Sequence, residues 1–287
     1  MKFYLITTDH LSCGLWFKDE DDFKAAMNVI PIIAAMAGVH ILAFILMSNH
    51  VHFVLEGSYE QCLKFITELK RHYSRYLFFK YNNYETLRRN QVDIKELCLN
   101  DEGLEKAIAY VQMNCVAAGI CFSPAEYPWG TGNAYFKVSS SKGVPVNSMS
   151  DRSRYRLLHT KKDIPDGLLL GVDGYILPES YVRTEFVEKL YRNPSRMAHF
   201  LRSSSKAKKR LEAGDTEIPV FKDQIILPIV KEMCRTLFKK GSVNELNPSE
   251  QLELVRQLRY RFSSNVNQLV RVTGIPYEKV AKMLENF

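Results

Sequence analysis

The N-terminal half of the chain alternates between short apolar runs and apolar residues at helical spacing. Lys2–Thr8 has the composition of a first strand, and Asp19–Ala37 predicts a helix that begins with acidic residues and ends near a glycine. Val39–Met47 and His50–Glu56 are separated by only two residues, which predicts a β-hairpin. The pattern therefore indicates a sheet with helices packed against it.

Two further helices complete this pattern. Tyr59–Tyr81 has apolar residues at helical spacing with a basic face between them. A second helix is predicted to begin near Asn100-Asp101 and to run through Tyr110 and Asn114 toward Gly119. The order strand, helix, hairpin, helix, helix predicts a small α+β sandwich over residues 1–136.

The rest of the chain divides into two regions. Residues 137–220 are predicted to be a basic linker or extension, of which 137–160 is rich in Ser, Lys, Arg and Gly and is typical of an exposed arm. Residues 221–287 are predicted to be helical. Two short amphipathic helices flank Gly274-Ile275-Pro276, which is the layout of a helix-turn-helix with Lys279 and Lys282 on the groove-reading helix. A helical hairpin that only packs is the alternative.

One stretch resembles a membrane span in length and hydrophobicity. Val29–Met47 is almost wholly apolar, but Pro31, Gly38 and His40 interrupt it, and a helix, a glycine and a strand account for both halves. We therefore expect a buried core and no membrane partner. Six cysteines without a C-x-x-C pair predict reduced thiols and a cytoplasmic protein.

The net charge of +7 is unevenly distributed along the chain. Residues 1–136 carry 12 Lys and Arg against 15 Asp and Glu, whereas residues 137–287 carry 27 against 17. A basic half next to a slightly acidic half predicts that the C-terminal part binds a polyanion such as nucleic acid, with a solvated basic surface as the alternative. The expected DNA contacts are Lys70, Arg71, Arg75, Lys206, Lys208, Lys209, Arg210, Lys279 and Lys282.

The histidine pair on the second hairpin strand is a candidate metal site. Because side chains alternate along a strand, His50 and His52 project from one face while Val51 points to the other. Two imidazoles on one face suit a metal ion, although surface or core histidines at this spacing are common. Further candidate residues are needed to decide between a metal site and ordinary surface or core histidines.

Tyr110 and Asn114 lie four residues apart on a predicted helix and therefore on the same face of it. A tyrosine hydroxyl with a pKa near 10 is a poor nucleophile at neutral pH unless a cation or a base activates it. The asparagine carbonyl would supply an oxygen ligand to such a cation. In a chain with 15 tyrosines, a packing role for Tyr110 is the alternative.

Three segments together resemble a known family. The run Ile41–Leu55 with its two histidines looks like the strand pair of the HUH transposases, and Tyr110-Val-Gln-Met-Asn114-Cys-Val-Ala-Ala-Gly119 resembles their tyrosine helix. Tyr127-Pro128-Trp129 is similar to the family's Tyr-x-Trp segment. The order and spacing of the three segments over residues 1–136 indicate the REP-associated tyrosine transposases, a single-tyrosine subgroup.

This resemblance implies a fold, a reaction and roles for four residues. The fold would be a ferredoxin-like antiparallel sheet with helices on one side, followed by a mostly helical C-terminal region. His50, His52 and Asn114 would hold a divalent ion, Mg²⁺ or Mn²⁺, and Tyr110 would be the nucleophile. The enzyme would cleave and rejoin single-stranded or hairpin DNA through a 5′-phosphotyrosine, as a monomer or a homodimer.

Some features of the sequence depart from the family, and two rival functions remain. Cys115 replaces the usual proline, Gly130-Thr131 stands where Ser-Ser is common, and residues 82–99 have no counterpart to the family's link. One rival is a catalytically inactive DNA-binding regulator derived from such a transposase. The other is an unrelated H-x-H metal hydrolase, which would need further ligands. Relaxases of the HUH type are disfavoured because their tyrosine precedes the histidines.

Overall fold

The N-terminal part folds as strand, helix, hairpin, helix and strand. The computed structural model describes residues 2–9, 15–82, 87, 90–98, 102–137, 142–158, 163–204, 223–262, 264 and 266–284. The first elements are β1 (Phe3–Thr8), α1 (Glu20–Ala37), β2 (His40–Met47), β3 (His50–Glu56), α2 (Tyr59–Tyr81) and β4 (Val92–Leu97). The strands form one antiparallel sheet in the order β2-β3-β1-β4, which is the ferredoxin-like topology.

The ends of α1 follow from capping residues that are visible in the sequence. Asp19 accepts a hydrogen bond from the Asp22 backbone N–H, and Gly38 ends the helix at φ 73°, where an L side chain is strained. The apolar stretch 29–47 is thus divided between a helix and a strand, as predicted. In the part of the chain that the structure describes, no helix is both long enough and apolar enough to cross a bilayer.

Helices cover both faces of the sheet. His52 and Phe53 are neighbours on β3 and therefore point to opposite faces. The Phe53 ring packs edge-on against Phe65 of α2, with centroids 5.0 Å apart, whereas the His52 ring packs against Tyr110. The expectation of helices on one side is correct for α1 and α2, which pack together, but the helix that carries Tyr110 lies on the other face.

The tyrosine helix is shorter than the sequence predicts. Helix α3 (Gly103–Gln112) ends before Met113, and a single turn, α4 (Asn114–Ala117), follows it. Met113 has φ −75° and ψ 0°, so the helix is interrupted between Tyr110 and Asn114. The prediction of one continuous helix through both residues is therefore wrong at this position.

The Tyr-x-Trp segment runs along the outer edge of β2. Tyr127 donates its hydroxyl hydrogen to the Leu46 carbonyl at 2.8 Å, and Trp129 stacks on Phe23 of α1. A Cβ atom at Gly130 would lie 2.9 Å from the Phe44 carbonyl oxygen, so the close approach of the two backbones explains a glycine there. The segment covers an otherwise open sheet edge.

The predicted linker is folded where the structure describes it. Its elements are β5 (Val144–Pro145), α5 (Asp151–Leu158), β6 (Leu169–Leu170), α6 (Thr184–Tyr191) and α7 (Pro194–Ser203). Val146 and Leu158 are buried against Ile32 of α1, and the buried Asn28 side chain bonds the backbone of residues 174 and 176. The segment 142–158 is therefore attached to α1 through Val146 and Leu158, while most of its other side chains are exposed, as the prediction of an exposed arm expects.

Within the described residues from 223 to 284, four helices share an apolar core of their own: α8 (Asp223–Phe238), α9 (Pro248–Phe262), α10 (Val266–Thr273) and α11 (Tyr277–Leu284). Helices α10 and α11 flank the turn 274–276, in which Gly274 has φ 72°. The mostly helical C-terminal region is confirmed, and the helix-turn-helix assignment of this helix pair remains a prediction. DNA binding by this pair remains a prediction.

Candidate functional site

The β2–β3 hairpin brings the two histidines together. The turn Ser48-Asn49 reverses the chain, and β3 begins at His50. The imidazole rings of His50 and His52 are nearly perpendicular, with centroids 4.8 Å apart. His50 is 4% exposed and His52 is 1% exposed, so both rings are desolvated by the fold.

Each imidazole is oriented through its Nδ1 atom. His50 Nδ1 lies 2.8 Å from Asn49 Oδ1, and His52 Nδ1 lies 3.2 Å from Thr7 Oγ1 on the neighbouring strand. An amide oxygen can only accept a hydrogen bond, so Nδ1 of His50 carries the hydrogen and the ring lone pair is on Nε2. Metal-ligating histidines are commonly oriented by such a bond at the other nitrogen.

Tyr110 adjoins this pair from α3. Its ring meets the His52 ring edge-on, with centroids 5.7 Å apart and an angle of 85°. The side chain is half-buried, and burial raises the pKa of the Tyr110 hydroxyl above its usual value. The residue is therefore a neutral phenol at pH 7, and it needs assistance to act as a nucleophile.

Asn114 is joined to the turn of helix that holds Tyr110. Its Nδ2 donates to the Tyr110 carbonyl at 2.9 Å and to the Val111 carbonyl at 3.1 Å. These bonds span the interruption at Met113 and keep Asn114, which is 4% exposed, at the end of α3. Because both bonds use the amide nitrogen, Oδ1 is the atom left to act as an oxygen ligand.

The donor set suits a divalent ion that takes part of its coordination from the substrate. Across the described ranges, no group of three or more His, Cys, Asp or Glu side chains is placed to hold a metal ion. The candidate ligands are therefore two imidazoles and one amide oxygen. Such a set leaves positions for water or phosphate oxygens, as a catalytic metal site requires.

Substitution of Asn49 tests whether its hydrogen bond to His50 Nδ1 contributes to metal binding. Replacing Asn49 with Ala removes the acceptor that orients His50, and we expect Mn²⁺ affinity to fall by about 10- to 100-fold in isothermal titration calorimetry. Asn49→Asp keeps an acceptor oxygen and should retain binding. Asn147→Ala, at an exposed asparagine paired with Asp166, is the matched control. Equal Mn²⁺ affinity in Asn49→Ala and wild type would show that His50 is not held in this way.

The basic residues of α2 lie on the other face of the sheet. Lys70 donates its ammonium hydrogen to the Asn90 carbonyl, and burial lowers the pKa of its side chain. Arg71 pairs with Glu68, while Arg75 is exposed. The Lys70 side chain thus bonds the backbone before β4, and DNA contacts by these three residues remain a prediction.

The other predicted DNA contacts are at the C-terminus. Lys206, Lys208, Lys209 and Arg210 lie outside the described residues. Lys279 donates to Gln251 Oε1 at 2.7 Å. Lys279 and Lys282 line one cavity of about 280 Å³ between α9 and α11, together with Pro248, Leu252, Arg256 and Met283.

Several residues that shape the site were not identified from the sequence. Asn49 and Thr7 orient the imidazoles, and the order Asn-His in the hairpin turn was the available signal for Asn49. Ser48, in the same turn, donates its hydroxyl hydrogen to Asp223 at 3.1 Å. No local pattern indicates this contact, because the two residues are 175 positions apart.

The chain resembles a known transposase family in this region. Residues 15–93, just over a quarter of the chain, match the family model described as Transposase IS200 like. The matched segment includes the hairpin with His50 and His52 and ends before Tyr110. No curated protein and no solved structure matches the chain.

The family supports a transposase-type function, with DNA as the partner, and its members typically use a divalent metal. Transposition and recombination are the processes that this implies. The ferredoxin-like sheet, the histidine hairpin and the match over residues 15–93 together support an insertion-sequence transposase of the HUH type, similar to the IS200-like family.

Proposed function

We propose that this enzyme cleaves and rejoins single-stranded DNA through a covalent 5′-phosphotyrosine at Tyr110. The observation that carries the proposal is the contact of the His50, His52 and Tyr110 rings. The motifs around Tyr110, Asn114 and Tyr127-Pro128-Trp129 support the narrower assignment to the REP-associated tyrosine transposases.

The proposed step exchanges one phosphodiester for another. Tyr110 Oη attacks the phosphorus atom and loses its proton, the bond from phosphorus to the 3′ oxygen breaks, and that oxygen takes up a proton as a free 3′-hydroxyl. Attack by a 3′-hydroxyl from another strand end reverses the step and joins a new strand. No external energy source is needed, because the phosphotyrosine conserves the bond.

His50, His52 and Asn114 are the proposed ligands of the divalent ion. When bound, Mg²⁺ or Mn²⁺ would polarise the phosphate and stabilise the charge that develops on it. Imidazole ligands suit Mn²⁺ better than Mg²⁺. Since Tyr110 contacts His52 of its own chain, the proposal places nucleophile and ligands in one subunit, so the reaction does not require a homodimer.

The polarity of the break tests this reaction. A single-stranded oligonucleotide labelled at its 3′ end should give a labelled band linked to the protein, and one labelled at its 5′ end should give a free fragment that a polymerase can extend. The opposite distribution of label would contradict a 5′-phosphotyrosine. Duplex DNA of the same sequence is the control, and EDTA should abolish both products.

The alternative function is a catalytically inactive DNA-binding regulator. It would bind hairpin DNA through the helices α10 and α11 and would form no covalent product. The contact of the His50, His52 and Tyr110 rings, with Asn114 hydrogen-bonded to the Tyr110 carbonyl, favours the enzyme. The cytoplasmic location remains a prediction, and none of the five described cysteines forms a disulfide.

The basic cluster Lys206, Lys208, Lys209 and Arg210 is proposed to bind DNA phosphates. Phosphate contacts release counterions, so log affinity should fall with log salt with a slope of roughly −0.7 per contact for single strands and −0.9 for duplex. Replacing all four residues with Ala should flatten the slope by up to about three units in filter binding or anisotropy. Replacing Lys70, Arg71 and Arg75 of α2 with Ala, and measuring the same salt slope, is the comparison. An unchanged slope in the quadruple variant would indicate a solvated surface.

A further inference from the structure

The C-terminal helices contact the hairpin turn that precedes His50. Asp223, the first residue of α8, is 4% exposed and accepts a hydrogen bond from Ser48 Oγ at 3.1 Å. It also accepts from Gln268 Nε2 at 3.0 Å and from Arg271 Nε at 2.6 Å. We call Ser48, Asp223, Gln268 and Arg271 the docking cluster. It joins residues that are far apart in the sequence into one buried polar group.

Arg271 extends the docking cluster to the other side of the site. Its Nη2 reaches Asp223 at 3.2 Å, while its Nη1 donates to the Ala118 carbonyl at 3.3 Å. Ala118 directly follows α4, four residues after Asn114. One guanidinium on α10 thus links the carboxylate that holds the histidine turn to the segment that holds Asn114.

Ser48 is a rigid connection in this arrangement. Its carbonyl accepts hydrogen bonds from the backbone N–H groups of Trp16 at 2.9 Å and Phe17 at 3.1 Å, while its hydroxyl binds Asp223. The residue is 2% exposed. A displacement of Asp223 would therefore act on a buried, hydrogen-bonded turn, and strand β3 begins with His50 two residues later.

Asp223 and Arg271 form a largely buried ion pair in the docking cluster, and each charge stabilises the other. Burial disfavours an ionised Asp223, but the charge of the Arg271 guanidinium and the hydrogen bonds from Arg271, Gln268 and Ser48 hold the pKa of its carboxyl below the usual value. The pair is therefore ionised throughout the physiological range. A buried ion pair with satisfied hydrogen bonds fixes one geometry, because any other arrangement leaves a desolvated charge. The planar guanidinium of Arg271 has several donors in a fixed arrangement, so it can bond Asp223 and the Ala118 carbonyl at the same time.

We propose that Asp223 and Arg271 are positioning residues for the reaction centre. They hold the His50 turn and the Asn114 segment in register, so the C-terminal helices complete the site in addition to any role in binding DNA. This inference rests on the proposed function for its effect on rate, but not for its effect on metal binding. It also implies that α10, the first helix of the predicted helix-turn-helix, contributes to the geometry of the site.

The test compares Ser48→Ala, Arg271→Lys and the double variant in the full chain. Positioning predicts that the cleavage rate constant at saturating DNA falls by about 10- to 100-fold, while DNA affinity stays near the wild-type value. The two single effects should be less than additive in the double variant, because both variants alter the contacts of Asp223. Arg259→Lys is the matched control, since Arg259 also donates to a backbone carbonyl, that of Ser264, within the C-terminal helices.

Calorimetric titration with Mn²⁺ alone gives a second measurement that does not depend on activity. Ser48→Ala should weaken Mn²⁺ binding by about tenfold relative to wild type and Arg259→Lys, because the turn would no longer hold His50 in the orientation that binds the ion. If Arg271→Lys fails to fold, Ser48→Ala, which removes one hydroxyl, decides the question. Wild-type rate and metal affinity in Ser48→Ala would overturn the inference. If wild type binds Mn²⁺ but never cleaves DNA, the proposed function fails and the metal titration alone decides the positioning role.

Discussion

Tyr110→Phe should abolish covalent attachment to DNA while leaving DNA affinity nearly unchanged. The substitution removes one oxygen atom from a half-buried ring and keeps the packing of that ring against His52. The loss of a nucleophile that forms the covalent intermediate lowers the rate by several orders of magnitude, on the order of 10³ or more. Denaturing gels after incubation with labelled single-stranded DNA measure the product, and anisotropy measures affinity.

The control for this variant is another tyrosine at an accessible position. Tyr155 lies on α5 and is 51% exposed, so Tyr155→Phe should cleave at the wild-type rate. If Tyr110→Phe kept full nicking activity, Tyr110 would have a packing role only, and the nucleophile would have to be found elsewhere. A loss of DNA affinity equal to the loss of attachment would also contradict the assigned role.

His50→Ala and His52→Ala should each reduce Mn²⁺ affinity by at least about 100-fold. Only two imidazoles and one amide oxygen are proposed to hold the ion, so one deletion leaves too few ligands. Calorimetry measures the affinity directly, and cleavage should fall with it at limiting Mn²⁺. The site assignment would be wrong if either variant bound Mn²⁺ like wild type.

His40→Ala is the control for the histidine variants. His40 is the first residue of β2, exposed, at the opposite end of the same hairpin from His50. Both site histidines are buried, so their replacement leaves a cavity and lowers the melting temperature. Thermal melts followed by circular dichroism should therefore accompany each titration, so that loss of the fold is separated from loss of the ligand.

The elements that position the histidines could be predicted because their signals are local. The caps Asp19 and Gly38 fix α1, and two residues between apolar runs fix the hairpin. Strand β4 was missed because it is an edge strand in which Val92 and Ile94 alternate with Asp93 and Lys95, a pattern too short and too charged to indicate a strand. The ferredoxin-like resemblance implied a fourth strand without identifying its residues.

Two features depend on packing that periodicity does not encode. The helix is interrupted at Met113 without a proline or glycine, so the sequence predicts a continuous helix. The bonds from Asn114 to Tyr110 and Val111 still hold the two site residues together across it. The prediction that Tyr110 and Asn114 are neighbours is correct, but the continuous helix from which it was derived is not present.

The contact between the C-terminal helices and the site is the part least accessible from sequence. The charge distribution distinguishes a basic C-terminal half from a slightly acidic N-terminal half, and this difference predicts that the C-terminal half binds DNA separately from the reaction centre. Asp223 and Arg271 are ordinary charged residues in amphipathic helices, and only the tertiary fold shows that they are buried beside Ser48 and Ala118. Long-range polar contacts of this kind have no periodic signature.

The most direct test of the account is to locate the covalent bond. Wild-type protein is incubated with Mn²⁺ and single-stranded DNA from the flanks of its own gene, the product is digested with protease and nuclease, and the modified peptide is sequenced by mass spectrometry. We expect one adduct, a nucleotide attached through its 5′ phosphate to the peptide containing Tyr110. An adduct on another tyrosine, or cleavage of the strand with no protein attached, would contradict it.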